Sequence, residues 1–239
     1  NTEKLDKLLP TRKKFYASAL DQSTNTKNPP PLSEKLSLTA TGQLQKTIIF
    51  KEGAPIMITT NHPKKKYKNN GIVNGARGKI DSIQPSKENP DVVEIIWVRF
   101  TDNKIGQLLR QDNLFLLKDF NPNDPLSVPI LKQKKQFSVK GNVKWMREQF
   151  PLTLCYAITA HKSQGQTLDE VLIDFSASNS RINCGSFYTA LSRVKLGENL
   201  YMKDFKPLYI KANPNVEKKM MAMKLSSPYR FRKIYNRDK

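Results

Sequence analysis

Leu152-Thr153-Leu154-Cys155-Tyr156-Ala157-Ile158 is apolar apart from one threonine, and it passes directly into the polar string Thr159-Ala160-His161-Lys162-Ser163-Gln164-Gly165-Gln166-Thr167. A near-continuous apolar run reads as a parallel strand buried on both faces, since an exposed face would show polar alternation. A polar turn after such a strand opens a helix and sets hydrogen-bond donors at the carboxyl edge of the sheet, where open α/β folds take their ligands. Val171-Leu172-Ile173-Asp174-Phe175 supplies the next strand at a spacing that fits one short crossover helix. The predicted fold class is α/β.

Upstream, Phe15-Tyr16-Ala17-Ser18-Ala19 and Ala54-Pro55-Ile56-Met57-Ile58 are short apolar runs bounded by turn residues, which predicts strands. Asn28-Pro29-Pro30-Pro31 between them excludes a helix, because proline lacks the backbone donor. From residue 61 the character changes. Asn74-Gly75 and Arg77-Gly78 punctuate β-type runs, and Val92-Val93-Glu94-Ile95-Ile96-Trp97-Val98-Arg99-Phe100 is the strongest strand pattern in the chain. The pattern predicts a small all-β unit, a barrel in preference to a sandwich, set into an α/β domain whose flanking strands share one sheet. The expected segments are 1–60 for the first part of that domain, 61–150 for the insertion, 151–205 for the remainder, and 206–239 for a basic tail without periodicity that orders on meeting a partner.

Lys and Arg number 41 against 21 Asp and Glu, a formal net charge of +20 over 239 residues. A surface that basic repels itself unless a polyanion is near. No apolar stretch reaches the ~18 residues a membrane span needs, so nucleic acid is the expected partner and a membrane is not. Lys64, Lys65, Lys66, Lys68, Arg77 and Lys79 form one basic cluster, and Lys132, Lys134, Lys135, Lys140, Lys144 and Arg147 a second. Tyr67, Phe137 and Trp145 are interleaved with them, and base stacking contributes ~1–3 kcal/mol per base; Trp145 suits a core position equally well. Cys155 and Cys184 lack any CxxC spacing, which argues against a zinc site or a disulfide framework, and Cys155 reads as a small core residue. The chain opens at Asn1 without an initiator methionine and is expected to be a fragment.

The chemistry concentrates in two strings. Thr159, His161, Lys162 and Ser163 add side-chain donors to the free N–H groups of a helix start, a combination that suits phosphate, and Gly165 permits close backbone approach. Taken singly, Ser163 could cap a helix and His161 could be structural; the contiguous string is what points to a ligand. In Phe187-Tyr188-Thr189-Ala190-Leu191-Ser192-Arg193-Val194 the apolar positions Phe187, Tyr188, Leu191 and Val194 recur at helical spacing, which predicts a helix docked by that face with Arg193 directed off it. Alone, Arg193 reads as a surface arginine in an ion pair. No GxxxxGK[ST] loop occurs: Gly78-Lys79 continues into Ile80. Nor does an acidic pair close an apolar strand in a way that would hold magnesium.

Ala157-Ile158-Thr159-Ala160-His161-Lys162-Ser163-Gln164-Gly165-Gln166-Thr167-Leu168 resembles motif V of the Pif and RecD branch of superfamily 1 helicases. The string from Phe187 to Val194 resembles motif VI of that family. Gly53-Ala54-Pro55-Ile56-Met57 with Asn61, and Gly71-Ile72-Val73-Asn74-Gly75-Ala76-Arg77-Gly78, are similar to its preceding segment. The likeness runs from about residue 48 to residue 205.

The resemblance implies a second RecA-like lobe of the P-loop NTPase type, interrupted by a small β-barrel of the Src-homology type. It implies that Arg193 is an arginine finger on the γ-phosphate of ATP, a role worth on the order of 10³ to 10⁵ in rate where measured. Gln164, Gly165 and Gln166 would face the nucleotide with Arg193, while Thr159, His161, Lys162, Ser163, Asn61, Asn74, Tyr188 and Ser192 would face single-stranded DNA. ATP and Mg²⁺ would both need a first, phosphate-binding lobe that this chain lacks, so the chain alone is expected to be inactive, and none of its residues is expected to ligate metal. The implied protein is an ATP-dependent DNA helicase moving 5′ to 3′, with single strands, duplex junctions and its own N-terminal RecA-like lobe as partners, acting in genome maintenance in nucleus or mitochondrion. A non-catalytic or degenerate nucleic-acid-binding module, derived from a mobile element, fits the charge equally well.

Overall fold

The computed structural model describes residues 2–27, 32, 36–139, 143–176, 184–210 and 214–226. In chain order the elements are α1 (Thr2–Leu8), β1 (Phe15–Ser18), β2 (Leu20–Ser23), β3 (Thr47–Phe50), β4 (Pro55–Ile58), α2 (Lys65–Asn69), β5 (Arg77–Pro85), β6 (Val93–Phe100), α3 (Gln107–Gln111), β7 (Val128–Ile130), β8 (Gln133–Val139), β9 (Val143–Gln149), β10 (Leu152–Leu154), α4 (Ala160–Ser163), β11 (Val171–Asp174), α5 (Cys184–Leu191), β12 (Leu200–Lys203) and α6 (Pro214–Ser226). They fall into two units, Asn1–Ala157 and Ile158–Lys239. The fold is mixed α/β.

The first unit is organised by a five-stranded antiparallel sheet in the order β10-β4-β5-β6-β7. Its most buried strand is β6, between β5 and β7, whose Ile95, Ile96, Trp97 and Val98 are all buried, so consecutive side chains on both faces are covered. The buried Trp97 indole N–H donates to Gln84 Oε1 at 3.1 Å while its ring stacks on Phe120. The β5–β6 register slips between Ile80 and Ser82, leaving Asp81 without an opposite residue. A bulge frees main-chain groups, and here the Asp81 carbonyl accepts from Asn123 Nδ2 while its carboxylate accepts the N–H of Asp124, which ties down the loop before β7. The opposite core packs Phe50 edge-on to Phe150 and joins Leu5, Ile56, Ile58 and Ile80. Each fully buried side chain of this kind contributes roughly 1.5–3 kcal/mol.

Two further pairings complete this unit: β1 with β3, and the three-stranded sheet β2-β9-β8. Asp21 on β2 lies directly across from Arg147 on β9, and the buried guanidinium grips the carboxylate with two bonds of 2.7 Å before reaching Leu44 O at 3.1 Å. Phe137 and Trp145 are also cross-strand partners, and both are buried. At the N-terminus, Lys51 is 3% exposed and pairs with Asp6 at 3.0 Å while donating to Leu9 O, which holds α1 to the sheet by a charge as well as by Leu5.

In the second unit β11 and β12 pair in parallel, Val171 opposite Leu200 through Asp174 opposite Lys203, with α5 in the connection between them. Phe175, at the end of β11, lies 5.9 Å from Phe187 on α5, 5.8 Å from Phe205 and 5.2 Å from Tyr209. This four-ring cluster is what α5 packs on.

Several expectations need correction. The run 152–158 is not a parallel strand: β10 ends at Leu154 and pairs antiparallel with β4, because an apolar run reports burial and not strand direction. Cys155 is half-buried rather than enclosed. The short helix expected before residue 171 is present as the single turn α4, but the strands on either side of it, β10 and β11, lie in different sheets. The strands flanking the 61–150 segment share one sheet only in part: β4 before it and β10 after it are neighbours in the five-stranded sheet, whereas among the described residues β1 pairs with β3 and β11 with β12. Within 206–239, residues 214–226 form a helix: Pro214 is suited to a helix start, and the Glu, Lys, Met and Ala that follow are good helix formers with no apolar stripe to reveal them. Asn28 to Pro31, Lys140 and residues 227–239 lie outside the described residues.

Candidate nucleotide and nucleic-acid interface

Thr159 is the N-cap of α4, its side-chain oxygen accepting the Lys162 N–H while its carbonyl takes the N–H groups of Lys162 and Ser163. The helix lasts one turn because Gln164 leaves helical geometry and Gly165 adopts φ +79°, a left-handed conformation that glycine takes without a Cβ penalty. Beyond the Cβ position of Gly165 there is open space, so the backbone conformation and not crowding calls for glycine. The turn leaves Thr159, His161, Lys162, Gln164 and Gly165 exposed. Ser163 does not join them: it is buried and its hydroxyl donates to Ala160 O at 2.7 Å.

Arg193 lies just past the end of α5. Its guanidinium donates from Nε to Thr189 O at 3.0 Å, from Nη1 to Gln166 O at 3.2 Å and from Nη2 to Ser192 Oγ at 2.7 Å. The guanidinium is thus held by main-chain oxygens, because the free carbonyls of a helix end attract any nearby donor. Tyr188 was expected on the packed face with Phe187; it is instead 73% exposed and is the aromatic on α5 open to a base.

Two strings far apart in sequence are stitched together here. Leu168 and Val194 form a parallel bridge, Leu168 N donates to Arg193 O at 2.8 Å, and Lys195 N donates to Leu168 O at 3.2 Å. One residue further on, the Lys195 ammonium meets Asp169 Oδ1 at 2.6 Å and holds that carboxyl below the ordinary carboxylate range. Gln166 donates from Nε2 to Lys162 O, yet its Oε1 is buried without a partner, an acceptor that a ligand or a rearranged donor would satisfy. A cavity of about 240 Å³ opens between α4 and α5, lined by His161, Gln164, Gly185, Ser186 and Thr189. Gly185, Ser186 and the carbonyl of Thr189 went unnoticed in the sequence, since a main-chain oxygen leaves no residue signature.

No protein-family profile matches the chain. An ATP-dependent DNA helicase PIF1 from Danio rerio is 30% identical over 181 residues, covering 75% of this chain and 23% of that protein. An ATP-dependent DNA helicase Pif1 from Bdellovibrio bacteriovorus is 28% identical over 202 residues, covering 84% of this chain and 35% of that one. The chain belongs to the Pif1-like helicases. It spans about a quarter to a third of these curated relatives' length. Among solved structures, Pif1 helicase from Candida albicans superposes with a TM-score of 0.63 over 93% of this chain and 46% of that one at 18% identity. Pif1 from Bacteroides, crystallised with ADP-AlF3 and ssDNA, gives 0.58 over 95% of this chain and 43% of that one at 18% identity. Both likenesses concern the fold.

In this Pif1-like chain Asn61 and Asn74 come together in the first unit, where Asn61 Oδ1 accepts the Asn74 N–H at 2.8 Å and braces the loop between β4 and β5. Both side chains are exposed. The basic clusters are less uniform than they look in sequence. Lys64, Lys65, Lys66 and Lys68 crowd α2, but Lys66 pairs with Asp112, a carboxylate distant in sequence. Arg147 is a buried structural arginine and is removed from the candidate DNA contacts. Tyr67, Phe137 and Trp145 are buried, so none offers a ring face for stacking; each is sealed by apolar neighbours or by a cation, as Arg147 covers Phe137 at 5.6 Å. Among the described residues no helix is long and apolar enough to cross a membrane, and no group of three or more His, Cys, Asp or Glu is placed to hold a metal ion.

Proposed function

We propose that this chain is the part of an ATP-dependent DNA helicase that contributes the arginine finger and couples nucleotide state to the grip on single-stranded DNA. The observation that carries the reading is the Leu168–Val194 bridge, with Arg193 bonded to Gln166 O beside it. A segment exposed to strand at Thr159 to Lys162 is thereby fixed to the residue that would meet phosphate, so a ligand at either end biases one element. The Bacteroides relative bound to ADP-AlF3 and ssDNA supports both ligands.

In this reading ATP and Mg²⁺ would be held by a phosphate-binding lobe of the RecA-like type, which this chain does not supply, and the metal would provide charge neutralisation of the phosphates there. Arg193 exchanges its carbonyl partners for phosphate oxygens, which its planar fork matches. Gln164, Gly165 and Gln166 line the nucleotide side; Thr159, His161, Lys162, Tyr188 and Ser192, with Asn61 and Asn74, line the strand. The inserted β unit is of the Src-homology barrel type, translocation runs 5′ to 3′, and the work is genome maintenance in nucleus or mitochondrion. Alone, the chain does not turn over ATP. With the phosphate-binding lobe joined to it, Arg193→Ala nearly abolishes DNA-stimulated ATP hydrolysis and leaves DNA affinity within a few fold; a variant that keeps most of its turnover ends the finger assignment.

The three bonds of Arg193 within its own unit favour a second reading, a non-catalytic nucleic-acid-binding module in which Arg193 only staples two segments. That reading requires the same variant to lose stability and no turnover.

A further inference from the structure

A second cavity lies wholly within the first unit. It measures about 400 Å³ and opens between α2, α3 and the corner where β7 runs into β8. Its floor is apolar, formed by Ile58, Ile72, Leu109 and Ile130, and Pro129 and Pro151 are part of its lining. Its rim is cationic: Lys64, Lys132 and Lys134 line it. Among the described residues neither Lys64 nor Lys132 has a carboxylate partner; they lie instead over the rings of Tyr67 and Phe150. Lys134 reaches Glu148 only at 3.5 Å.

Three polar groups on the wall have one end already committed. Gln133 accepts the Thr60 hydroxyl on Oε1 at 3.1 Å, so its amide N–H₂ is the end left for a ligand. Asn113 donates from Nδ2 to Leu109 O at 2.7 Å, which leaves Oδ1 as an acceptor. His62 accepts the Lys64 N–H on Nδ1 at 3.1 Å, so the neutral ring carries its proton on Nε2. Burial first, and then the charges of Lys64 and Lys135, push His62 below the ordinary histidine range, so it is a neutral donor and not another cation. Its ring is fixed edge-on to Tyr67 at 4.7 Å.

We propose that this cavity binds one unstacked nucleotide of single-stranded DNA, with the base over the apolar floor against His62, Asn113 and Gln133, and the phosphate at Lys64 and Lys132. An apolar floor with a few fixed donors and acceptors is the chemistry of a base, and the cationic rim is that of its phosphate. A duplex has no base face to offer it. A bare anion would need the rim alone and leave the interior empty. The proposal rests on the preceding reading only in taking the same strand as ligand.

The chain contains two histidines, one in each place, and this makes the test self-controlled. The ring signals of His62 and His161 are followed by NMR while a short oligothymidylate is added, then a phosphate–sugar chain of equal length without bases, then a phosphorylated peptide. His62 moves with the oligothymidylate and is nearly silent with the abasic chain, while His161 responds to both. Gln133→Glu keeps the oxygen that Thr60 uses, and it weakens the His62 response at least about fivefold while leaving that of His161 within twofold. If His161 moves and His62 does not, the cavity assignment fails and strand binding by the second unit stands. If neither moves, both fail. An equal His62 response to the abasic chain reduces the site to phosphate and overturns base recognition, and a response to the phosphopeptide alone reassigns it to a protein partner.

Discussion

Arg193 donates from Nη1 to the main-chain oxygen of Gln166 at 3.2 Å, and from Nε to that of Thr189 at 3.0 Å. One guanidinium thus spans the segment after α4 and the end of α5, and its fork geometry is what allows two acceptors to be held at once. Any ligand that draws Arg193 away releases both carbonyls together.

Arg193→Lys tests whether charge alone suffices. A lysine carries a point charge on a flexible stem and cannot hold two carbonyls or two phosphate oxygens side by side. In a motor joined to its phosphate-binding lobe, turnover at saturating DNA should fall at least about a hundredfold, with DNA affinity within a few fold. Recovery to near the parent rate would show that the planar fork is unnecessary.

Gly165→Ala separates backbone strain from crowding. The added Cβ meets nothing within 4 Å, yet φ is +79°, so the cost is that of a left-handed alanine, roughly 1–2 kcal/mol. Asn tolerates this region better. Urea denaturation followed by far-UV circular dichroism should rank Gly165→Asn above Gly165→Ala; equal losses would place the cost outside the backbone.

The Asp21–Arg147 pair should behave as a buried ion pair does. Arg147→Ala leaves a carboxylate without its partner and should cost about 3–5 kcal/mol. Replacing both, Asp21→Leu with Arg147→Met, should recover most of that loss, because the desolvation penalty disappears with the charges. A double variant no more stable than Arg147→Ala would mean that the bond to Leu44 O matters more than the pair.

Acid should loosen α1 before it unfolds the sheet. Hydrogen bonds from Lys14 first, and then from Lys51, hold the Asp6 carboxyl below the ordinary carboxylate range. The folded chain therefore binds that proton less readily than the unfolded chain. Its contribution is complete above about pH 4 and is lost as pH falls through the depressed folded value. Lys14 is shifted up by the same contact, so its contribution is present below the ordinary lysine range and fades as pH rises through the raised folded value. Amide exchange in α1 should accelerate at the acid limb in the parent chain and show no such step in Asp6→Asn.

The parts of the fold most legible in sequence were those where packing is recorded by side chains. Val93–Phe100 reads as a strand because branched and aromatic residues occupy both faces, and Pro55–Ile58 because glycine and proline bound a short apolar run. Strand direction was not legible, since Leu152–Leu154 is equally apolar beside a parallel or an antiparallel neighbour. Nor was the helix Pro214–Ser226, whose Val216, Met220 and Met221 are exposed and draw no stripe. In the site, the residue types at Thr159 to Gln166 announced a ligand, but the direction of Ser163 and the tether on Arg193 did not show. Both depend on carbonyl oxygens, which every residue carries.

Both tryptophans, Trp97 and Trp145, are buried in the first unit, and the unit that carries Arg193 has none among the two in the sequence. Intrinsic indole emission therefore watches one unit and is blind to the other. A melt or a ligand titration read at tryptophan wavelengths reports on residues 1–157, and events around α4 and α5 pass in the dark unless an indole is placed there, for which the exposed ring of Tyr188 is the natural position.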